Sequence, residues 1–129
     1  MVDRTRILVV DDDPALLETT AALLSFHYDV TVASSGAEAL ALFAAAPCDI
    51  ICTDFRMPGM DGVELLRRAR DVHADVCGVV ITALRQLVTN EPEHCSLLFK
   101  PYDPGQLLAR LKQAEQLAGE RRAKRTGAS

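Results

Sequence analysis

Five short apolar runs punctuate the chain: Arg6–Val10, Val30–Ala33, Asp49–Thr53, Cys77–Thr82 and Ser96–Phe99. Their apolar character is continuous rather than alternating, which predicts strands covered on both faces, as in a parallel sheet. Between them, apolar residues recur at helical spacing. Leu16, Leu17, Thr20, Leu23 and Leu24 form one stripe. Leu40, Phe43 and Ala44 form a second, and Leu107, Leu111, Ala114 and Ala118 the last.

The helices have start signals. Asp13-Pro14 places a capping carboxylate before a proline at the first helical position. Ser35-Gly36-Ala37-Glu38 has the form of a capping box. Asp61-Gly62-Val63-Glu64 and Asp103-Pro104-Gly105-Gln106 open the third and last helices in a similar way. The fourth helical position is the weak one. Residues 84–94 include Pro92, which forbids a regular helix through their C-terminal part. A shortened or irregular element is predicted there. The order βαβαβαβ(α)βα builds an α/β fold, a doubly wound five-stranded parallel sheet with helices on both faces. Right-handed crossovers restrict its topology.

Composition adds little to that picture but excludes some functions. Apolar residues make up 49% and charged residues 25%, the balance of a globular chain that needs no disulfides or structural metal to bury a core. No apolar run approaches the roughly 20 residues of a membrane span, and the N-terminal residues lack the apolar segment of a secretory leader. A cytoplasmic protein with no membrane partner is expected. The net charge is −4. Without Arg121, Arg122, Lys124 and Arg125 it would be about −8, and so acidic a body argues against direct nucleic-acid binding by this domain. Cys48, Cys52, Cys77 and Cys95 form no CxxC pair and are expected as reduced core thiols.

The chemistry lies at strand ends. Asp11, Asp12 and Asp13 follow Ile7–Val10, and Asp54 follows Ile50–Thr53. Open α/β sheets bind ligands at the carboxyl ends of their strands, where strand order reverses. If the first and third strands are neighbours, several carboxylates converge, with Asp13 turning away to cap the first helix. Converging carboxylates repel in a partly desolvated cleft, so a cation is expected, and oxygen-only ligands select Mg²⁺, Mn²⁺ or Ca²⁺ over zinc. Thr82 ends the fourth strand with a hydroxyl, and Lys100-Pro101 delivers an ammonium after the fifth. A carboxylate, a divalent cation, a lysine and a hydroxyl together suit phosphoryl transfer. Taken singly, each residue has an ordinary explanation: a helix cap, a strand end, a solvated lysine. Their joint placement at four strand ends does not.

Val9-Val10-Asp11-Asp12-Asp13, Asp54-Phe55-Arg56-Met57-Pro58-Gly59-Met60-Asp61-Gly62, Ile81-Thr82-Ala83 and Lys100-Pro101-Tyr102 resemble the signature of response-regulator receiver domains. The likeness runs from about Arg6 to about Leu117. It implies a flavodoxin-like sheet of order 2-1-3-4-5. It implies that Asp54 accepts a phosphoryl group from a sensor histidine kinase or phosphotransfer protein, as a signalling module rather than an enzyme. Asp12, Asp54 and the carbonyl of Arg56 would bind Mg²⁺ directly, and Asp11 through water. Thr82 would hydrogen-bond the phosphoryl group, and Lys100 would pair with Asp54 and then with the phosphate. The Lys100–Pro101 bond would be cis. Pro58-Gly59 would shape the loop after Asp54, and Gly62 would allow a close turn into the third helix.

The chain departs from that pattern in two places. Leu97 stands where the family usually has an aromatic residue that swings inward with the threonine. The stretch from Thr82 to Lys100 is also shorter than usual by about one helical turn. The expectation is complete chemistry with an altered output, carried by loop order or a partner contact. Arg56 and Leu84, two positions after Asp54 and Thr82, would flank the path of an attacking water and slow phosphate loss. The alternative reading is a pseudo-receiver that binds without switching. A haloacid-dehalogenase-type phosphatase would explain Asp11 and Asp13 but leaves Asp54–Gly59 without a role, and it expects Thr or Val where Ala15 stands. The receiver unit is expected at residues 4–119 and a basic tail or linker at 120–129. A stand-alone regulator acting on a downstream protein, a receiver cut from its output domain, and a homodimer all stay open.

Overall fold

The computed structural model describes residues 4–83 and 95–125. Its strands are β1 (Arg6–Val10), β2 (Asp29–Ala33), β3 (Ile50–Asp54), β4 (Cys77–Thr82) and β5 (Cys95–Phe99). Its helices are α1 (Pro14–Leu24), α2 (Gly36–Ala45), α3 (Gly62–Val72) and α4 (Pro104–Arg125). All strand pairs are parallel, in the order β2-β1-β3-β4-β5. The expected sheet order is therefore the observed one. Residues 84–94, where a shortened fourth helix was expected, lie outside the described residues, as does Leu84.

Strand side chains alternate between the two faces of the sheet and so feed two cores. Ile7, Val9, Ile50, Cys52, Val79, Ile81 and Leu98 meet Leu24 of α1 and Leu107, Leu111, Ala114 and Ala118 of α4. Leu8, Val10, Ile51 and Val80 meet Ala39 and Phe43 of α2 and Leu65, Leu66 and Ala69 of α3. The whole apolar stripe expected for the last helix is buried. In α2 the buried positions are Gly36, Ala39 and Phe43, while Ala44 faces solvent. In α1 only Leu24 is fully buried, and Leu16 is 48% exposed. This helix sits against β1 and β2 without closing onto α4, so its stripe is only half used.

The caps form where the sequence places them. Asp13 Oδ1 accepts the N–H groups of Ala15 (3.0 Å) and Leu16 (3.4 Å). Asp61 Oδ1 accepts Glu64 N–H at 2.8 Å. At α4, Asp103 Oδ1 accepts Gln106 N–H, and Gln106 Oε1 accepts Asp103 N–H, both at 2.8 Å. At α2, Ser35 accepts Glu38 N–H, but Glu38 Oε1 reaches one residue further back than in a capping box, to Ser34 N–H at 2.7 Å. The helix α4 continues past Gly119 to Arg125. Cys48, Cys52 and Cys77 are buried and Cys95 is half-buried, and none of the four is in a disulfide.

Candidate functional site

Register brings the acidic residues together. Val10 pairs with Thr53 across β1 and β3, so one step further along puts Asp11 level with Asp54. Each of Asp11, Asp12 and Asp54 offers a carboxylate oxygen within 4.8 Å of the others. Asp13, engaged in its cap, is not part of this cluster among the described residues. Asp11 Oδ1 accepts Asp13 N–H at 2.9 Å, which ties the cluster to the start of α1.

From the other side comes Lys100. Thr82 pairs with Phe99, and Lys100 N–H donates to the Thr82 carbonyl at 2.9 Å, so the lysine leaves β5 level with the end of β4. Its Nζ lies 3.0 Å from Asp54 Oδ1. The Lys100–Pro101 bond is cis. Asp54, Arg56, Thr82 and Lys100 line one small cavity of about 130 Å³. Asp12, Arg56 and Asp61 border a wider basin of about 570 Å³ with Phe55, Met57 and Pro58. Asp11, Asp12, Asp54, Arg56, Thr82 and Lys100 thus lie at one edge of the sheet.

The loop after Asp54 holds this arrangement by backbone contacts. Phe55 N–H donates to the Ile81 carbonyl at 2.8 Å, and Gly62 N–H to the Phe55 carbonyl at 2.9 Å. Gly59 has φ +82°, a left-handed conformation that glycine adopts without strain. A Cβ on Gly62 would lie 2.6 Å from the Asp54 carbonyl oxygen, so only glycine lets α3 start this close.

The electrostatics follow from partial burial. Burial raises the Asp11 pKa; the Asp13 N–H opposes this, and the Asp54 charge adds to it. For Lys100, burial acts downward, but the hydrogen bond and charge of Asp54, with Asp11, outweigh it and leave the pKa raised. Burial also raises Tyr102. Burial pushes the Cys52 thiol up to about 12. Tyr102 and Cys52 border the site, yet sequence reasoning gave neither a role there. Tyr102 had a signal in its place directly after Lys100-Pro101; Cys52 read only as a core thiol.

Oxygen-only donors at this spacing fit a hard divalent cation. A carboxylate beside an ammonium, with a hydroxyl at the next strand end, can take up and hold a phosphoryl group.

Comparison with known proteins agrees with this geometry. Residues 7–112 match the family model of the response regulator receiver domain. Over 113 residues the chain is 39% identical to response regulator MprA of Mycolicibacterium vanbaalenii, covering 83% of this chain and 48% of that one. It is 34% identical over 114 residues to transcriptional regulatory protein TrcR of Mycobacterium tuberculosis, covering 83% of this chain and 44% of that one. The chain thus spans about half the length of the curated relatives it matches. Among crystal structures, the signal receiver domain of an HD domain-containing protein from Pseudomonas fluorescens superposes with a TM-score of 0.83 at 31% identity, over 95% of each chain. Nothing in these likenesses favours the pseudo-receiver alternative.

Proposed function

The chain belongs to the response-regulator receiver family of two-component signalling, and on that premise we propose that Asp54 is its phosphoacceptor. The observation that carries this reading is the Lys100 ammonium 3.0 Å from Asp54 Oδ1, beside an acid cluster suited to a divalent ion. Receiver domains are signalling domains, and this one acts as a switch rather than an enzyme.

In the proposed reaction an Asp54 carboxylate oxygen bonds to phosphorus as the P–N bond of a phosphohistidine breaks. The histidine nitrogen leaves with the electron pair and takes a proton from water. The phosphohistidine belongs to a sensor kinase or a phosphotransfer protein. Lys100 holds the carboxylate before transfer and then pairs with a phosphoryl oxygen. Thr82, at the rim of the same small cavity, donates its hydroxyl to another. Asp11, Asp12, Asp54 and the Arg56 carbonyl would hold Mg²⁺, which when bound neutralises charge on the phosphoryl oxygens. Arg56 borders the cavity and would slow entry of a hydrolytic water.

Leu97 packs half-buried against the core shared with α2 and α3. No ring can swing inward at this position, and the output is carried instead by loop order or a partner contact. The receiver unit is taken as residues 4–119, and the basic residues 120–129, the first of which continue α4 to Arg125, serve as tail or linker. No helix of the described residues is long and apolar enough to cross a membrane. A cytoplasmic place, where a kinase would meet the chain, follows from the reading.

Intact-mass measurement after treatment with acetyl phosphate and Mg²⁺ tests the proposal. One phosphoryl group is expected on the wild type and none on Asp54→Ala. Equal labelling of both, or none on either, overturns it.

A further inference from the structure

Two half-buried methionines, Met57 and Met60, lie in the loop after Asp54, and one of them reaches a hydroxyl beneath the phosphoacceptor. Thr53 is wholly buried and donates its hydroxyl to the Asp54 carbonyl at 2.9 Å. Met57 Sδ lies 4.0 Å from the same hydroxyl oxygen. The Asp54 carbonyl is also where Gly62 brings α3 closest. A bond to it therefore steadies the strand end that carries the phosphoacceptor. Met57 lines the open basin of about 570 Å³ beside Asp12 and Arg56, where a solute reaches it. Met60 is turned against α2, its Cβ and Sδ each 3.0 Å from where a Cβ on Gly36 would stand. The thiols are poorer targets for an oxidant. Cys48, Cys52 and Cys77 are buried, and burial holds Cys48 and Cys52 in the unreactive protonated form.

We propose that Met57 is a reversible oxidation site, at which a peroxide makes a sulfoxide that captures the Thr53 hydroxyl and slows phosphoryl acceptance by Asp54. A sulfur lone pair attacks one peroxide oxygen, the O–O bond breaks, and the other oxygen leaves as water once its proton has moved. Sulfur loses two electrons and the peroxide gains them. A thioether accepts hydrogen bonds weakly, so the Thr53 hydroxyl now goes to the Asp54 carbonyl. A sulfoxide oxygen is a strong acceptor and extends one bond beyond the sulfur, which closes the 4.0 Å gap to hydrogen-bond range. The hydroxyl has one proton to give, so the Asp54 carbonyl loses it. Methionine sulfoxide reductases reverse the change, one enzyme for each epimer. The sulfur is no ligand of the divalent ion, so the effect holds with Mg²⁺ bound. The slowing rests on the phosphoacceptor reading; the capture of Thr53 does not.

The test treats the full chain with hydrogen peroxide, removes the oxidant, maps the oxidised residues by mass spectrometry and then follows labelling by acetyl phosphate and Mg²⁺. Met57 should oxidise before Met60, and labelling should slow about fivefold, the worth of one hydrogen bond. The two reductases with dithiothreitol should restore it. Met57→Leu, which conserves volume and keeps all four cysteines, should label like the wild type and lose its sensitivity to peroxide. Thr53→Val should start at the slow rate and be slowed no further, although its Met57 still oxidises. The Thr53 methyl resonance should shift on oxidation of the wild type and not of Met57→Leu. Met57 left reduced while Met60 oxidises overturns the proposal. So does an oxidised wild type labelled within about twofold of the untreated one, further slowing of Thr53→Val, or an unmoved Thr53 methyl. A wild type that takes no label before oxidation counts against the phosphoacceptor reading, and the Thr53 methyl then decides the capture.

Discussion

Lys100 Nζ and Asp54 Oδ1 meet at 3.0 Å although they leave strands that are not neighbours, with β4 between β3 and β5. The pair therefore arches over the end of β4, beside Thr82. The Asp54 side chain is only 14% exposed, so its charge has lost most of its water and takes the ammonium in exchange. The receiver chemistry proposed for this chain depends on that arch.

Removing the ammonium should slow phosphoryl acceptance while leaving the fold intact. Lys100→Ala is expected to lower the rate of labelling by acetyl phosphate about 10²-fold, the usual loss for one preorganised electrostatic partner. Lys100→Arg should recover part of it. Phosphoprotein formation against time, with circular dichroism as the fold control, provides the check.

The acid cluster should make stability depend on a divalent ion. Mg²⁺ at 100 times its dissociation constant adds about 2.7 kcal/mol. For a chain of this size that raises Tm by roughly 10 °C. Asp12→Asn relieves repulsion among the three carboxylates, so its metal-free Tm should exceed that of the wild type and its response to Mg²⁺ should shrink. Thermal melts in EDTA and in Mg²⁺ measure both effects.

Gly62 is where α3 passes close to the phosphoacceptor strand. Gly62→Ala places a methyl 2.6 Å from the Asp54 carbonyl oxygen, so backbone must move. A loss of about 1–3 kcal/mol is expected, together with slower phosphorylation, because the same strand end carries Asp54. Urea unfolding and labelling rates should fall together.

Alkaline pH should unfold the chain through its thiols. Burial pushes Cys48 up from an ordinary 9.0 to about 11 and Cys52 to about 12. Their contribution is fully present below the unfolded value and is lost as pH rises toward the folded ones. Each thiol then costs about 1.4 kcal/mol per pH unit. Lys100, also raised, loses its contribution in the same direction as pH passes its unfolded value. Cys52→Val should flatten the decline above pH 9 in urea midpoints measured across that window.

Much of this was readable in the residues because it depends on local spacing. The caps at Asp13, Asp61 and Asp103 need only a side chain two or three residues from the N–H it accepts. The stripe Leu107, Leu111, Ala114 and Ala118 needs only helical periodicity, and it is buried as expected. The strand-end chemistry could be read because parallel order and register carry Asp11 and Asp54 to one edge. Periodicity says which face of a helix is apolar, not whether a neighbouring helix closes onto it. Leu16 thus reads as core in the sequence but lies exposed at the edge of the space between α1 and α4. The places of Tyr102 and Cys52 beside the site were hidden for the same reason, since both border the space between α1 and α4. Glu38, bonding Ser34 rather than Ser35, shows that even a capping box leaves one residue of play.

Borohydride trapping tests the central claim most directly. The chain is phosphorylated with acetyl phosphate and Mg²⁺, reduced so that any acyl phosphate becomes an alcohol, digested and mapped by mass spectrometry. Homoserine at position 54 alone, lost when EDTA replaces Mg²⁺, is the predicted result. An unmodified Asp54, or homoserine at Asp11, Asp12 or Asp61 instead, would contradict the account.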